Sequence, residues 1–248
     1  MPFADDPIQY FADLDFKWGK CQAIRYEPGS PIFRQPYLAH LYERTRMSGR
    51  SKMGSLPMLF CGMTNLELDS ICSYLSQRPV CVLGEWREHT WETAPDPGLV
   101  GKPYFHDLGF CFPAIPPIQT ESTPDNPQNS VFAGYTIFQD AWGTPQQIVC
   151  SYLGLAWLFH AFQLIAIHGT RYADNHLTAR FTKRFGFKEV GKIDHYMLRE
   201  AGQPLVAAVV STLTRSDFLD LTREMLNNLR EDVSEDFDGR QQQGRSSE

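Results

Sequence analysis

The sequence has no CxxC pair, no Cys and His cluster at zinc-ligand spacing, no run of basic residues and no apolar stretch behind its first residues. Each absence removes a class of protein. The six cysteines, Cys21, Cys61, Cys72, Cys81, Cys111 and Cys150, are scattered singly. Neither a zinc module nor a disulfide framework is expected from them, and they read as reduced residues of a core. Lys and Arg number 23 against 29 Asp and Glu, for a net charge of -6. Without clustered positive charge to neutralise phosphates, no nucleic-acid partner is expected. The opening MPFADDPIQYF carries acidic residues where a secretory signal carries basic ones, so the expected location is a cytoplasmic, reducing compartment.

Charge is missing altogether from one long stretch. Gly143 to Thr170 contains no Asp, Glu, Lys or Arg, and its middle, IVCSYLGLAWLFHAFQLIAI, is twenty residues long. That length can span a bilayer. It is broken, however, by Ser151, Gly154, His160 and Gln163, follows a turn-like Gly-Thr-Pro and lacks basic anchors. Ile148, Tyr152, Leu155, Phe159 and Phe162 recur at helical spacing, and the Leu-Ile-Ala-Ile run after them suits a short strand. The stretch therefore reads as a buried helix followed by a buried strand, with no membrane partner.

What is present fills a core: 248 residues, of which 42% are hydrophobic and 13% aromatic. Strands are expected at Lys20–Arg25, Pro79–Trp86 and Tyr104–Phe112, with helices around Tyr37, Leu38, Leu41 and Tyr42 and at Asn65–Leu75. Five prolines between Pro113 and Ser130 make residues 113–130 a long exposed loop. Then come a strand at Val131–Gln139, the uncharged helix, a strand at Ile165–Tyr172, a helix at Asn175–Phe185 and strands at Lys188–Leu198 and Leu205–Leu213. A last helix, Ser216–Leu229, starts on a Ser cap, and the acidic, Gln-rich residues 231–248 have too little apolar surface to order themselves. This alternation calls for an α/β (α+β) architecture with a mixed sheet covered by helices. A single domain over residues 1–230 is expected.

The segment NHLTARFTKRFGF, Asn175 to Phe187, carries the most specific pattern. Asn175 can cap a helix, Gly186 can end it in the left-handed conformation, and Phe187 can fold back onto the core. Upstream, GYTIFQDAWGT, Gly134 to Thr144, leads into the apolar helix, a strand and then Asp174-Asn175. In this order the chain resembles the Gcn5-related N-acetyltransferases, the GNAT family. The Gly-Tyr strand and its terminal Trp-Gly most resemble the branch that includes ribosomal-protein N-terminal acetyltransferases.

The resemblance implies a GNAT acyl-CoA N-acyltransferase fold, a mixed and mostly antiparallel sheet flanked by helices, with residues 131–212 as the acyl-CoA half. It implies acetyl-CoA as co-substrate, no metal, and an amine acceptor, small molecule or protein. The turn before the central helix would offer its amides to the pyrophosphate of CoA. By position the cofactor residues are Phe138, Gln139, Trp142, Gly143, Thr144, Gln147, Ile148 and Asn175. Two departures stand out. Pro145 occupies the second glycine position of the turn and Gln147 that of a small residue; Thr182 stands where many members carry a proton-donating Tyr. A proton donor would then come from Tyr135, Tyr172 or water.

For the proton acceptor, strand-end carboxylates and a histidine qualify: Glu85, His106, Asp107 and Asp140. The residues expected to be catalytic are Glu85, Tyr135 and Asp140. His160, His168, His176 and His195 are separated by element breaks and make no metal site. Two functions follow. One is transfer of an acetyl group to a primary amine by direct attack. The other is a catalytically degenerate GNAT fold kept for binding or assembly, such as a component of a phage or other large particle. A homodimer or larger assembly is compatible with either.

Overall fold

The computed structural model describes residues 6–30, 77–114, 129–138, 141–197 and 204–227. Strands β1 (Lys17–Trp18), β2 (Cys21–Tyr26), β3 (Val80–Glu88), β4 (Pro103–Pro113), β5 (Asn129–Ile137), β6 (Leu164–Tyr172), β7 (Lys188–Met197) and β8 (Val206–Thr214) form one sheet. Their order is β1-β2-β3-β4-β5-β6-β8-β7. Every neighbouring pair is antiparallel except β5 and β6. Four helices accompany it among the described residues: α1 (Pro7–Asp13), α2 (Pro145–Ala161), α3 (His176–Arg184) and α4 over residues 215–227. The expected mixed, mostly antiparallel sheet with flanking helices is what forms.

The uncharged stretch folds as α2 and β6, joined by Phe162 and Gln163. Every residue from Cys150 to Phe159 is buried, so α2 is apolar all round because it is covered all round. On one side it lies against β2, β3 and β4. On the other, Tyr152 meets Phe185 with ring centroids 5.1 Å apart, and Phe159 stacks on Phe218 of α4, also at 5.1 Å. Gly154 permits the close approach of helix to sheet, since a Cβ there would sit 2.9 Å from Leu83 Cδ2 and 3.2 Å from Cys111 Sγ. Truncating a side chain such as Leu153 to Ala in such a core costs about 2–5 kcal/mol. Among the described residues no helix is long and apolar enough to cross a membrane.

α3 begins and ends as its sequence implies. Asn175 Oδ1 accepts from Thr178 N at 3.0 Å. At the other end Gly186 has φ 79°, Gly186 N donates to Lys183 O at 3.1 Å and Phe187 N to Thr182 O at 3.0 Å. These two bonds are the Schellman closure.

Four differences from the sequence reading have local causes. α1 was not anticipated, although Asp6 caps it through Ile8 N and Gln9 N and Pro7 opens it. Pro113 ends β4, and Asn129 and Ser130 start β5, which shortens the loop expected over 113–130. The last helix is capped by Thr214, whose Oγ1 accepts from Asp217 N at 3.2 Å, and not by Ser216. His106 and Asp107 are consecutive on β4, opposite Glu85 and Gly84 in turn, so they project from opposite faces of the sheet. Cys21, Cys81, Cys111 and Cys150 are free and buried. Cys61, Cys72, the helices expected before residue 76, residues 115–128 and the tail at 231–248 lie outside the described residues.

Candidate functional site

The parallel pair is joined over only part of its length. Asn129, Ser130, Val131 and Phe132 of β5 are in register with Leu164, Ala166, Ile167 and His168 of β6. Beyond Phe132, β5 continues against β4 as far as Ile137, and β6 continues against β8 as far as Tyr172. The two strands therefore part, opening the sheet at its centre.

Backbone alternation identifies what lines the gap. Phe138 N donates to Leu108 O at 2.8 Å, and Phe132 O accepts from Ala114 N at 2.7 Å. The even-numbered residues of β5 thus turn their peptide groups to β4, and Ala133, Tyr135 and Ile137 turn theirs into the opening. On the far side Ala173 N donates to Ala207 O at 3.0 Å, which leaves Thr170 and Tyr172 facing the gap. At its mouth, Trp142 Nε1 donates to Ile137 O at 3.0 Å. The indole, 37% exposed, covers that carbonyl.

The turn into α2 is self-capped. Thr144 Oγ1 donates to Ala141 O at 2.8 Å and accepts from Gln147 N at 3.2 Å. Thr144 N donates to Ala141 O at 3.2 Å, and Pro145 has no N–H. Gly143, at φ 77°, lies in the left-handed region that favours glycine. Its N–H donates to Gln147 Oε1 at 2.7 Å. Thr-Pro-Gln-Gln is thus a capping box whose third-position side chain reaches one residue past the cap. Sequence reasoning took Gln147 as a ligand-binding residue and missed this role, although the Thr-x-x-Gln spacing carries it. Ile148 is half-buried at the edge of the core.

Four buried polar atoms on the strands that border the opening, or just after them, have no partner among the described residues: Tyr135 Oη and Thr136 Oγ1 on β5, Arg171 Nε on β6 and Asn175 Nδ2 beyond its end. Asn175 is 3% exposed; its Oδ1 caps α3 and its Nδ2 donates to nothing. Thr136 is 1% exposed, and its Oγ1 likewise has no partner. A buried donor left unsatisfied costs about 1–3 kcal/mol. Sequence reasoning missed Thr136, whose only sequence mark is a hydroxyl between apolar strand residues. Arg171 braces the end of β6, donating from Nη1 to Tyr172 O at 3.1 Å and to Ala173 O at 3.2 Å and pairing with Glu189.

Of the residues expected to be catalytic, the two that are described, Glu85 and Tyr135, do not bring their side chains together at this opening. Glu85 is 6% exposed, paired with Arg87, and stands opposite Cys21 and His106. It lies two strands from the gap, about 10 Å at the usual strand spacing. Tyr135 belongs to β5, but its hydroxyl is turned under α2 beside Ser151 and Cys111. Burial pushes that hydroxyl well above the usual tyrosine range, which makes it a weaker proton donor. Phe138 is buried, with its amide spent on Leu108 O. Gln139 and Asp140 lie outside the described residues. Among the described residues no cluster of His, Cys, Asp or Glu is arranged to hold a metal.

Neither a protein-family model nor a curated protein matches the sequence. Solved structures do match the fold. Mycobacterium smegmatis RimJ in complex with CoA-disulfide superposes with a TM-score of 0.52 at 16% identity, over 85% of this chain and 96% of that one. The ribosomal-protein-S5-alanine acetyltransferase from Vibrio fischeri gives a TM-score of 0.52 at 12% identity, over 82% of this chain and 97% of that one. The microcin C7 self-immunity acetyltransferase MccE, in complex with acetyl-CoA and AMP, gives 0.52 at 10% identity, over 82% and 99%. With its central parallel pair parted and helices flanking a mostly antiparallel sheet, this chain has the fold of the Gcn5-related N-acetyltransferases.

Proposed function

We propose that the chain is an acyl-CoA-dependent N-acyltransferase, with acetyl-CoA as co-substrate lying along the opening between β5 and β6. The observation that carries this reading is the buried, unpartnered Asn175 Nδ2 at the β6 side of that opening. It is a donor held ready for a carbonyl oxygen, and the pantetheine arm of CoA offers amide carbonyls of that kind. The peptide groups of Ala133, Tyr135 and Thr170, and the N–H of Ile137, supply further donors and acceptors along both walls.

The thioester supplies an activated acetyl group, and a primary amine attacks it directly, so that an amide forms and CoA leaves as the thiol. The chain's own part is to hold the two reactants together and to polarise the carbonyl through a fixed backbone N–H. With the Phe138 amide engaged in the sheet, the nearest such donor on β5 is Ile137 N. Glu85 is tied to Arg87 and the Tyr135 hydroxyl is buried beneath α2, which favours positioning over proton transfer by either of these two.

The test is calorimetric titration with acetyl-CoA, then transfer to a panel of amines followed by thiol release. Binding with release of CoA thiol on at least one amine supports the reading. No binding at millimolar acetyl-CoA would return the chain to the alternative of a fold kept for binding or assembly.

A further inference from the structure

We propose that Gln147 is a built-in occupant of the diphosphate position, an autoinhibitory contact that acyl-CoA must displace; this rests on the acyltransferase reading above. The inference starts from how the turn spends its donors. Gly143 N–H is the amide that the left-handed backbone turns outward, and it is held by Gln147 Oε1 at 2.7 Å. Thr144 N–H is held by Ala141 O and Gln147 N–H by Thr144 Oγ1. Pro145 contributes none. An anion arriving at Gly143 therefore meets the Gln147 oxygen already in place.

The geometry explains why Gln147, and not its neighbours, is the movable part. The Thr144 and Ala141 bonds belong to the backbone of the turn and the helix cap. The Gln147 amide reaches back on a flexible stem across a partly exposed surface, and a Cβ at Gly143 would meet nothing within 4 Å. One side-chain torsion empties the position without unwinding α2. A neutral hydrogen bond at an exposed site is worth little, whereas a bond from the same amide to a phosphate oxygen is charge-assisted and gains from the helix N-terminus. The diphosphate therefore wins the exchange, at reduced affinity. A carboxylate in place of the amide would hold Gly143 more firmly and repel the phosphates.

Three variants separate these effects: Gln147→Ala, Gln147→Met, which keeps length without an acceptor, and Gln147→Glu. Each is titrated calorimetrically with CoA and with pantetheine, which lacks the diphosphate. The Gly143 amide is followed by NMR as inorganic pyrophosphate is added. Expected are CoA binding about two- to tenfold tighter in the Ala and Met variants, at least tenfold weaker in the Glu variant, and unchanged for pantetheine throughout. The Gly143 resonance should move with pyrophosphate at lower concentration in the Met variant than in the wild type. Equal CoA affinity in all four proteins would overturn the proposal and leave the acyltransferase reading standing. Weaker binding in the Ala and Met variants would overturn it by making Gln147 a ligand group. Failure of every protein to bind CoA would overturn both.

Discussion

Asn175 holds Thr178 by one end of its side chain and keeps the other end idle: Oδ1 accepts from Thr178 N at 3.0 Å, while Nδ2, buried, donates to nothing among the described residues. A helix cap needs only the oxygen. The amide nitrogen is the part whose cost of burial has no return within the described chain, and two substitutions tell the ends apart. Asn175→Ala loses both and should destabilise the fold by about 1 kcal/mol through the cap. Asn175→Asp keeps the cap but buries a carboxylate oxygen with no partner, so it should also destabilise the free protein, through desolvation and not through the cap. Acetyl-CoA affinity should fall about tenfold or more in both. Urea unfolding with calorimetry checks this, and unchanged affinity in the Asp variant would remove Nδ2 from the site.

Gly143 is expected to tolerate no side chain well. At φ 77°, Ala should cost about 1–2 kcal/mol by backbone strain alone, since open space lies beyond the Cβ. Gly143→Asp should add to this the loss of any thermal shift with acetyl-CoA. A shift equal to that of the wild type would show that the turn is not where the diphosphate lies.

Thr136→Val replaces an unpartnered buried hydroxyl by a methyl group. Without ligand the variant should be more stable by about 1 kcal/mol. If the opening extends to that hydroxyl, the stabilisation given by saturating acetyl-CoA should shrink. Thermal melts with and without ligand measure both effects, and a destabilised free protein would contradict the assignment of Thr136 Oγ1 as idle.

Stability should fall as the pH drops below about 6.5. Burial and the neighbouring Arg215 hold His160 below the usual histidine value, and burial alone does so for His168. A group whose folded value is depressed gives stability that is complete above its unfolded value and is lost as pH falls through the folded one. His160, which meets Phe16 edge-on at 5.7 Å, can be replaced by Gln. Urea midpoints at pH 7.5 and 5.5 should then differ less than in the wild type, and an equal difference would clear His160 of that role.

How much of this was legible in the sequence depended on range. The Asn175 cap, the Gly186 turn and the return of Phe187 are set by residues within a dozen positions, and they formed as read. The uncharged segment split into helix and strand because its own periodicity changes at Phe162. Errors arose where two local rules competed, as with Thr214 and Ser216, either of which can cap α4. Asp6-Pro7 is a start signal for α1, and the short helix behind it has too few residues for a periodicity to show. The pairing of Glu85 with Arg87 follows the two-residue period of β3, which puts both on one face, but that period does not say whether a strand-end carboxylate is paired, solvated or catalytic. The loss of the Phe138 amide to Leu108 was not legible, because it depends on the register between β4 and β5, and no local pattern fixes that.

The account stands on the opening between β5 and β6 being where acyl-CoA lies. Backbone amide resonances recorded while acetyl-CoA is titrated test this most directly. The prediction is saturable movement of Ala133, Tyr135, Ile137, Thr170 and Tyr172, together with the Asn175 side-chain amide. Spectra that do not change at millimolar acetyl-CoA, or changes confined to residues away from these two strands, would contradict it.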